Sequence, residues 1–243
     1  MNLPAQGATV AGPDYDKIWT SVYGDMQTRG PVHRHLHRIV SKIVDSIDYR
    51  SVLDVGCGPG HNYPLLAKGN PAVRYAGTDV SEWAIERARR QVPGTFHLGD
   101  IQQTVPEGTW DLVYSSLLLE HLQDDTSALR NMRKAAAQHV LLTTIGGDFR
   151  RYRAWDERMG HVRNYRRGEL EEKARAAGFG VARAIYWGFP FYSPIARILQ
   201  NHSAVGCGRF GPGARVAARA LYGLYFLNSH RRGDLIVMLL KTE

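Results

Sequence analysis

The feature that most constrains this chain is a short apolar strand running straight into a cluster of glycines. Ser51-Val52-Leu53-Asp54-Val55 leads into Gly56-Cys57-Gly58-Pro59-Gly60. Glycine accepts positive φ and brings bare backbone close to a ligand. Such a turn between a strand and a helix therefore predicts a loop that holds a nucleotide-type group. A dinucleotide loop requires GxGxxG. Here the glycines fall at 56, 58 and 60, and His61 occupies the place of the last glycine.

Around this turn the pattern alternates. Strands are predicted at 51–55, 73–80, 95–98, 110–115, 139–145, 180–187 and 234–240. Helices are predicted from the turn to about 68, then over 82–91, 124–137 and 168–177. Ser81 is positioned to cap the second of these. Alternation of this kind means a parallel sheet with helices on both faces. Upstream, Asp14 to Tyr23 predicts a short helix. Pro31 opens a longer one whose apolar residues, Val32, Leu36, Ile39, Val40, Ile43, Val44 and Ile47, share one face. Residues 188–233 exceed a simple connection and carry helical periodicity near 191–201 and 214–228. Three parts follow: a tail with cap helices over 1–49, a core over 50–187 and 234–243, and a helical cap insertion over 188–233.

Two acidic residues extend the glycine motif. Asp79 ends the second strand, 19 residues after Gly60, where a carboxylate can accept both hydroxyls of a ribose. Asp100 follows the third strand in Leu98-Gly99-Asp100-Ile101. The DxGxGxG spacing with these two residues resembles the cofactor site of class I, Rossmann-like S-adenosylmethionine-dependent methyltransferases, in particular a broad small-molecule subgroup. Trp110 to Ser115 leading into Leu118-Leu119-Glu120-His121-Leu122 resembles the subgroup's fourth-strand segment. Gly160-His161-Val162-Arg163-Asn164-Tyr165 resembles the segment after its fifth strand. The resemblance implies a doubly wound sheet of about seven strands, mostly parallel with an antiparallel last strand. It implies S-adenosylmethionine as cofactor, held by Asp54, Gly56, Cys57, Gly58, Gly60, Asp79, Val80, Asp100, Ile101 and Ser115. The acceptor it implies is a small or lipid-like molecule methylated at O, N or C. An RNA methyltransferase and a non-catalytic cofactor-binding protein remain as alternatives.

A methyl sulfonium is already activated, so a base is needed only where the acceptor must lose a proton. His161 and His121 are the candidates, because imidazole titrates near neutrality; His121 follows the fourth strand at the ligand-binding rim, and the resemblance implies that His161 lies in a loop that closes over the acceptor. Arg163 and Tyr165 are candidates for positioning an acceptor. His33 and His37 share a helix face, but no nearby third ligand joins them, so no metal is expected. Asp124 and Asp125 are read as acidic residues at a helix N-terminus.

Two cysteines, Cys57 and Cys207, exclude a disulfide-stapled scaffold. The apolar runs are too short for a membrane span, and residues 1–13 lack a signal-peptide pattern, so a cytoplasmic protein is expected. The net charge is +8 and uneven: residues 146–243 hold 17 of the 31 Lys and Arg but only 8 of the 23 Asp and Glu. Arg197, Arg209, Arg215 and Arg219 accompany the apolar stripes of the insertion. That combination fits an acceptor with an apolar body and an anionic group, or peripheral contact with an anionic membrane. No nucleic-acid-binding module is recognisable.

Overall fold

The structure, a computed structural model, describes residues 24–68, 72–105, 107–202 and 208–242. The helix expected over Asp14 to Tyr23, and Cys207, lie outside the described residues. Seven strands form one sheet: β1 (Ser51–Val55), β2 (Arg74–Asp79), β3 (Thr95–Leu98), β4 (Trp110–Ser116), β5 (Ala136–Ile145), β6 (Phe179–Trp187) and β7 (Leu235–Thr242). Their order is β3-β2-β1-β4-β5-β7-β6. Strands β1 to β5 pair in parallel, and β7 runs antiparallel to both β5 and β6. The expected fold class is the one observed.

The chain winds outward from β1 to β3, then returns to place β4 on the other side of β1. In doubly wound sheets, the crevice at such a reversal, outside the carboxyl ends of the strands, is where ligands bind. Strand β1 is buried along its whole length, as expected for a central parallel strand covered on both faces. On one face the Pro31–Val44 helix buries Leu36, Ile39, Val40, Ile43 and Val44, the predicted stripe, with Pro31 in its first turn. On the other face Leu129, Met132 and Leu170 pack against Val113, Val140 and Met238.

Four local expectations differ from the structure. After the glycine turn there is a single helical turn, Tyr63–Leu66, rather than a helix to 68. The helix expected over 124–137 ends at Ala135, because Ala136 pairs with Trp110 and starts β5. Sheet pairing there overrides the helix propensity of an alanine run. The helix Arg153–Arg158 had no sequence signature strong enough to predict it. In the insertion, Phe191–Ala196 is a π-type segment that continues into the helix Arg197–His202, followed by Pro212–Leu224. Its inner side chains belong to the main core: Tyr192 and Tyr225 lie 5.7 and 5.9 Å from Trp187, ring centre to ring centre.

Candidate active site

A cavity of about 1420 Å³ opens at the carboxyl ends of the strands, at the β1/β4 reversal. Gly56, Cys57, Asp79, Val80, Asp100 and Ile101 line one part of it. Gly56 has φ +72°, and a Cβ there would stand 3.1 Å from Leu118. Its missing side chain therefore lets Leu118 pack close against the turn. Asp79 clamps two loops together. Its carboxylate accepts from the Gly58 N–H at 2.8 Å and from the Ser81 N–H at 2.9 Å. Asp100 accepts from the Gln102 N–H at 2.9 Å, and the Ile101 carbonyl accepts from Asn131 at 2.8 Å. Val80 and Leu98 are 48% and 56% exposed, two large apolar residues on the cavity wall at neighbouring strand ends. Leu98 was not among the sequence candidates, although an exposed leucine beside Gly99-Asp100 is a readable sign.

Four of the expected cofactor residues, Asp54, Gly58, Gly60 and Ser115, stand behind this wall. Asp54 is fully buried, and its carboxylate takes hydrogen bonds from the Tyr75 hydroxyl at 2.6 Å and from Asn62 at 3.1 Å. Burial pushes it up to about 7, with Tyr75 and Asn62 opposing the rise. Gly60 has φ +87°, and a Cβ there would overlap Val92, so it serves helix packing. Ser115 is buried, and the next residue, Ser116, reaches the cavity instead. Gly58 acts through its N–H on Asp79.

The expectation for Arg163 and Tyr165 is corrected. Arg163 pairs with Asp125 at 2.7 Å, and the Tyr165 hydroxyl donates to the same carboxylate at 2.7 Å. Lys173 completes the set at 3.0 Å. Asp125, at the start of the Asp125–Ala135 helix, thus locks the 160–165 segment to that helix, and neither residue lines the cavity. Its neighbour Asp124 caps that helix through the Ser127 N–H at 2.9 Å, as expected.

His121 and His161 do meet in the cavity, with ring centres 4.8 Å apart. The Nδ1–H of His121 donates to the Gly160 carbonyl at 3.1 Å. Burial, then the neighbouring His161, pushes His121 down to about 3, so it is neutral at ordinary pH. The Nδ1 of His161 lies 2.9 Å from a carboxylate oxygen of Asp156. Asn164 donates to the other oxygen at 2.6 Å, and Arg197 to both. Arg197 is only 1% exposed and also pairs with Asp234 at 3.1 Å. The sequence reading of Arg197 as an anchor for an acceptor anion is therefore corrected.

Glu120 completes this group. It is fully buried, its Oε2 accepts from the Thr144 hydroxyl at 2.8 Å, and burial raises its carboxyl above the usual range. One ligand atom from each of Glu120, His121 and His161 lies within 4.8 Å of the others. Glu120 and Asp156 were missed by sequence reasoning. A carboxylate inside the apolar run 117–122, and one five residues before His161, are the signals that were available. His33 and His37 also line the cavity, while His35 points away, buried and bonded to the Tyr222 carbonyl at 2.8 Å.

The apolar part of the remaining wall comes largely from the insertion, including Phe191, Ile195, Leu199, Ala217, Leu221 and Leu224. Arg209 is the one Lys or Arg on the cavity wall among the described residues.

A sequence profile for a methyltransferase domain matches residues 27–184. Over 111 residues the chain is 36% identical to the trans-aconitate 2-methyltransferase of Enterobacter sp. (strain 638), a match covering 45% of this chain and 42% of that protein. The chain thus spans less than half the length of the curated relatives it matches. Among solved structures, magnesium protoporphyrin IX methyltransferase from Synechocystis PCC 6803, with bound SAH, is similar with a TM-score of 0.55 and 14% identity, over 88% of this chain and 85% of that one. The cyclase SpnF is similar with a TM-score of 0.57 and 17% identity, over 86% and 81% of the two chains. The fold is that of the class I methyltransferases. The chain belongs to the methyltransferase-domain family whose profile it matches. A fold shared with a cyclase shows why the reaction has to be argued from the site.

Proposed function

We propose that the chain transfers the methyl group of S-adenosylmethionine to a small acceptor with an apolar body. The observation that carries this reading is one continuous cavity. It joins the glycine turn and Asp79 to the apolar face of the insertion, and Glu120, His121 and His161 line it as well. The residues present fit the cofactor. Gly56 brings bare backbone to the cavity wall, the Asp79 carboxylate lines the cavity where it can accept from ribose hydroxyls beside its present partners, and Val80 and Leu98 offer apolar surface for the adenine. Once bound, the cofactor supplies an electrophilic methyl on sulfur. The protein's task is alignment, which can contribute about 7–11 kcal/mol through proximity alone. The acceptor's reacting atom belongs at the histidine pair, where its proton is removed. The brace of Asp156 on His161 fixes that geometry.

The acceptor class follows from the wall. Trans-aconitate, named for several relatives, carries three carboxylates, whereas the described wall offers one arginine, Arg209, and broad apolar surface. An apolar body with a single anionic or hydroxyl group fits better. The test is formation of S-adenosylhomocysteine with a panel of apolar hydroxy- and monocarboxylic acids beside trans-aconitate. Turnover with members of the apolar set, exceeding that with trans-aconitate, is expected. Cofactor binding without turnover on any acceptor would favour the non-catalytic alternative. A preference for trans-aconitate would remove the apolar-body assignment.

A further inference from the structure

We propose that Glu120, His121 and His161 form a site for a divalent transition-metal ion, at which an oxygen of the acceptor completes the coordination. The inference rests on the reading that the acceptor's reacting atom sits at this group, and it specifies how that atom is activated.

Three observations carry it. The first is the donor set. One carboxylate and two imidazoles, with ligand atoms within 4.8 Å of one another, suit zinc, iron(II) or cobalt(II) better than the all-oxygen preference of magnesium or calcium. The second is an unmet carboxylate oxygen. Glu120 is fully buried, and while Oε2 is held by Thr144, Oε1 has no hydrogen-bond partner among the described residues. Leaving a buried acceptor unpaired is costly, and a cation at this point removes the cost. The third is the shell behind the ligands. Each histidine has its Nδ1 engaged, His121 on the Gly160 carbonyl and His161 on the Asp156 carboxylate. Hydrogen bonding of this kind fixes the ring, as outer partners do around metal-bound histidines. Asp156 is itself held by Arg197 and Asn164, so the support is rigid.

Three protein ligands on a cavity wall leave positions open for a substrate, the pattern of a catalytic rather than a structural site. An acceptor hydroxyl bound to the cation loses its proton to water, because coordination lowers its pKa. The oxygen lone pair then forms the new bond to the methyl carbon. The carbon–sulfur bond breaks, and its electron pair stays on sulfur as the neutral thioether. His161 acts here as a ligand, and the cation does the work that a base would otherwise do.

The test uses the untagged full chain, stripped with a chelator and titrated with zinc(II) by calorimetry, with cobalt(II) absorption as a second readout. One equivalent of zinc should bind, and cobalt(II) should give visible bands of nitrogen and oxygen coordination. Asp156→Asn, which removes no ligand but weakens the support of His161 together with the Arg197 pair, should weaken zinc by about 10–100-fold. Glu120→Gln should weaken it at least as much, and His37→Ala should leave it unchanged. S-adenosylmethionine affinity, measured on the same stripped chain, should persist. Absence of stoichiometric binding to the wild-type chain, which requires no variant to fold, overturns the proposal. So does full-rate methyl transfer in the presence of chelator, an outcome that leaves the methyltransferase reading standing. Zinc binding without any cofactor binding does the reverse: it supports the metal site and removes the methyltransferase reading.

Discussion

Arg197 and Asp156 meet in the interior, with one guanidinium nitrogen donating to both carboxylate oxygens at 3.2 and 3.3 Å. Arg197 comes from the insertion, and Asp156 is the residue that orients His161. The insertion therefore reaches through the core and braces the site from behind, in addition to lining the cavity. Breaking a buried pair leaves an uncompensated charge, at a cost of about 3–5 kcal/mol. Arg197→Met should lose stability on that scale, read by urea unfolding, and Arg197→Lys should recover part of it. A loss below about 1 kcal/mol for Arg197→Met would show that the pair is not a brace.

The same geometry makes the insertion inseparable from the fold. Replacing residues 188–233 with a short turn removes Arg197 and also Tyr192 and Tyr225, which pack on Trp187. The shortened chain should fail to give a cooperative unfolding transition. A shortened chain that unfolds cooperatively and binds cofactor normally would instead mark the insertion as a detachable lid.

Asp54 gives a pH prediction. Its folded value is raised from 3.8 to about 7, so the native chain holds a proton that the unfolded chain releases. The stability from this group is full below about 4 and is lost as pH rises through about 7. Asp54→Asn removes this dependence. The stability of the variant relative to wild type should increase between pH 4 and 8, on the order of a few kcal/mol. Thermal melts of the ligand-free proteins across that range are the check, and a constant difference would place the carboxylate in water.

Gly60 is a position where alanine meets two separate penalties. Its φ of +87° disfavours any L side chain, and a Cβ there overlaps Val92. Gly60→Ala should therefore destabilise the chain. Val92→Ala in the same chain should relieve the overlap but leave the backbone term of about 1–2 kcal/mol. Full recovery in the double variant, by urea unfolding, would show that only the overlap mattered.

The strand ends were legible in the sequence because parallel strands are continuous apolar runs bounded by glycine or acidic turns, as at Val55-Gly56 and Asp79. His121 was legible as a residue just after a strand, and His161 through the resemblance of the 160–165 segment. What surrounds them was not. Asp156 lies on a helix of six residues, too short to show periodicity. Arg197 sits on an apolar stripe, and sequence alone cannot tell an arginine that faces a cavity from one that enters the core. Arg163 and Tyr165 misled for the related reason that Asp125, their partner, is about 40 residues away in sequence and adjacent only in the fold.

The account turns on the cofactor occupying the cavity at Gly56 and Asp79. Calorimetric titration of the full chain with S-adenosylmethionine, beside Asp79→Ala and with NADH as the competing nucleotide, tests this most directly. Asp79→Ala removes the proposed ribose acceptor and the clamp on the Gly58 and Ser81 N–H groups. Hydrogen bonds to a charged group contribute about 1.5–3 kcal/mol, so affinity should fall by roughly 10–150-fold. One cofactor bound per chain, weakened on that scale in the variant and unmatched by NADH, is the predicted result. Equal affinity in wild type and variant, or tighter binding of NADH, would contradict it.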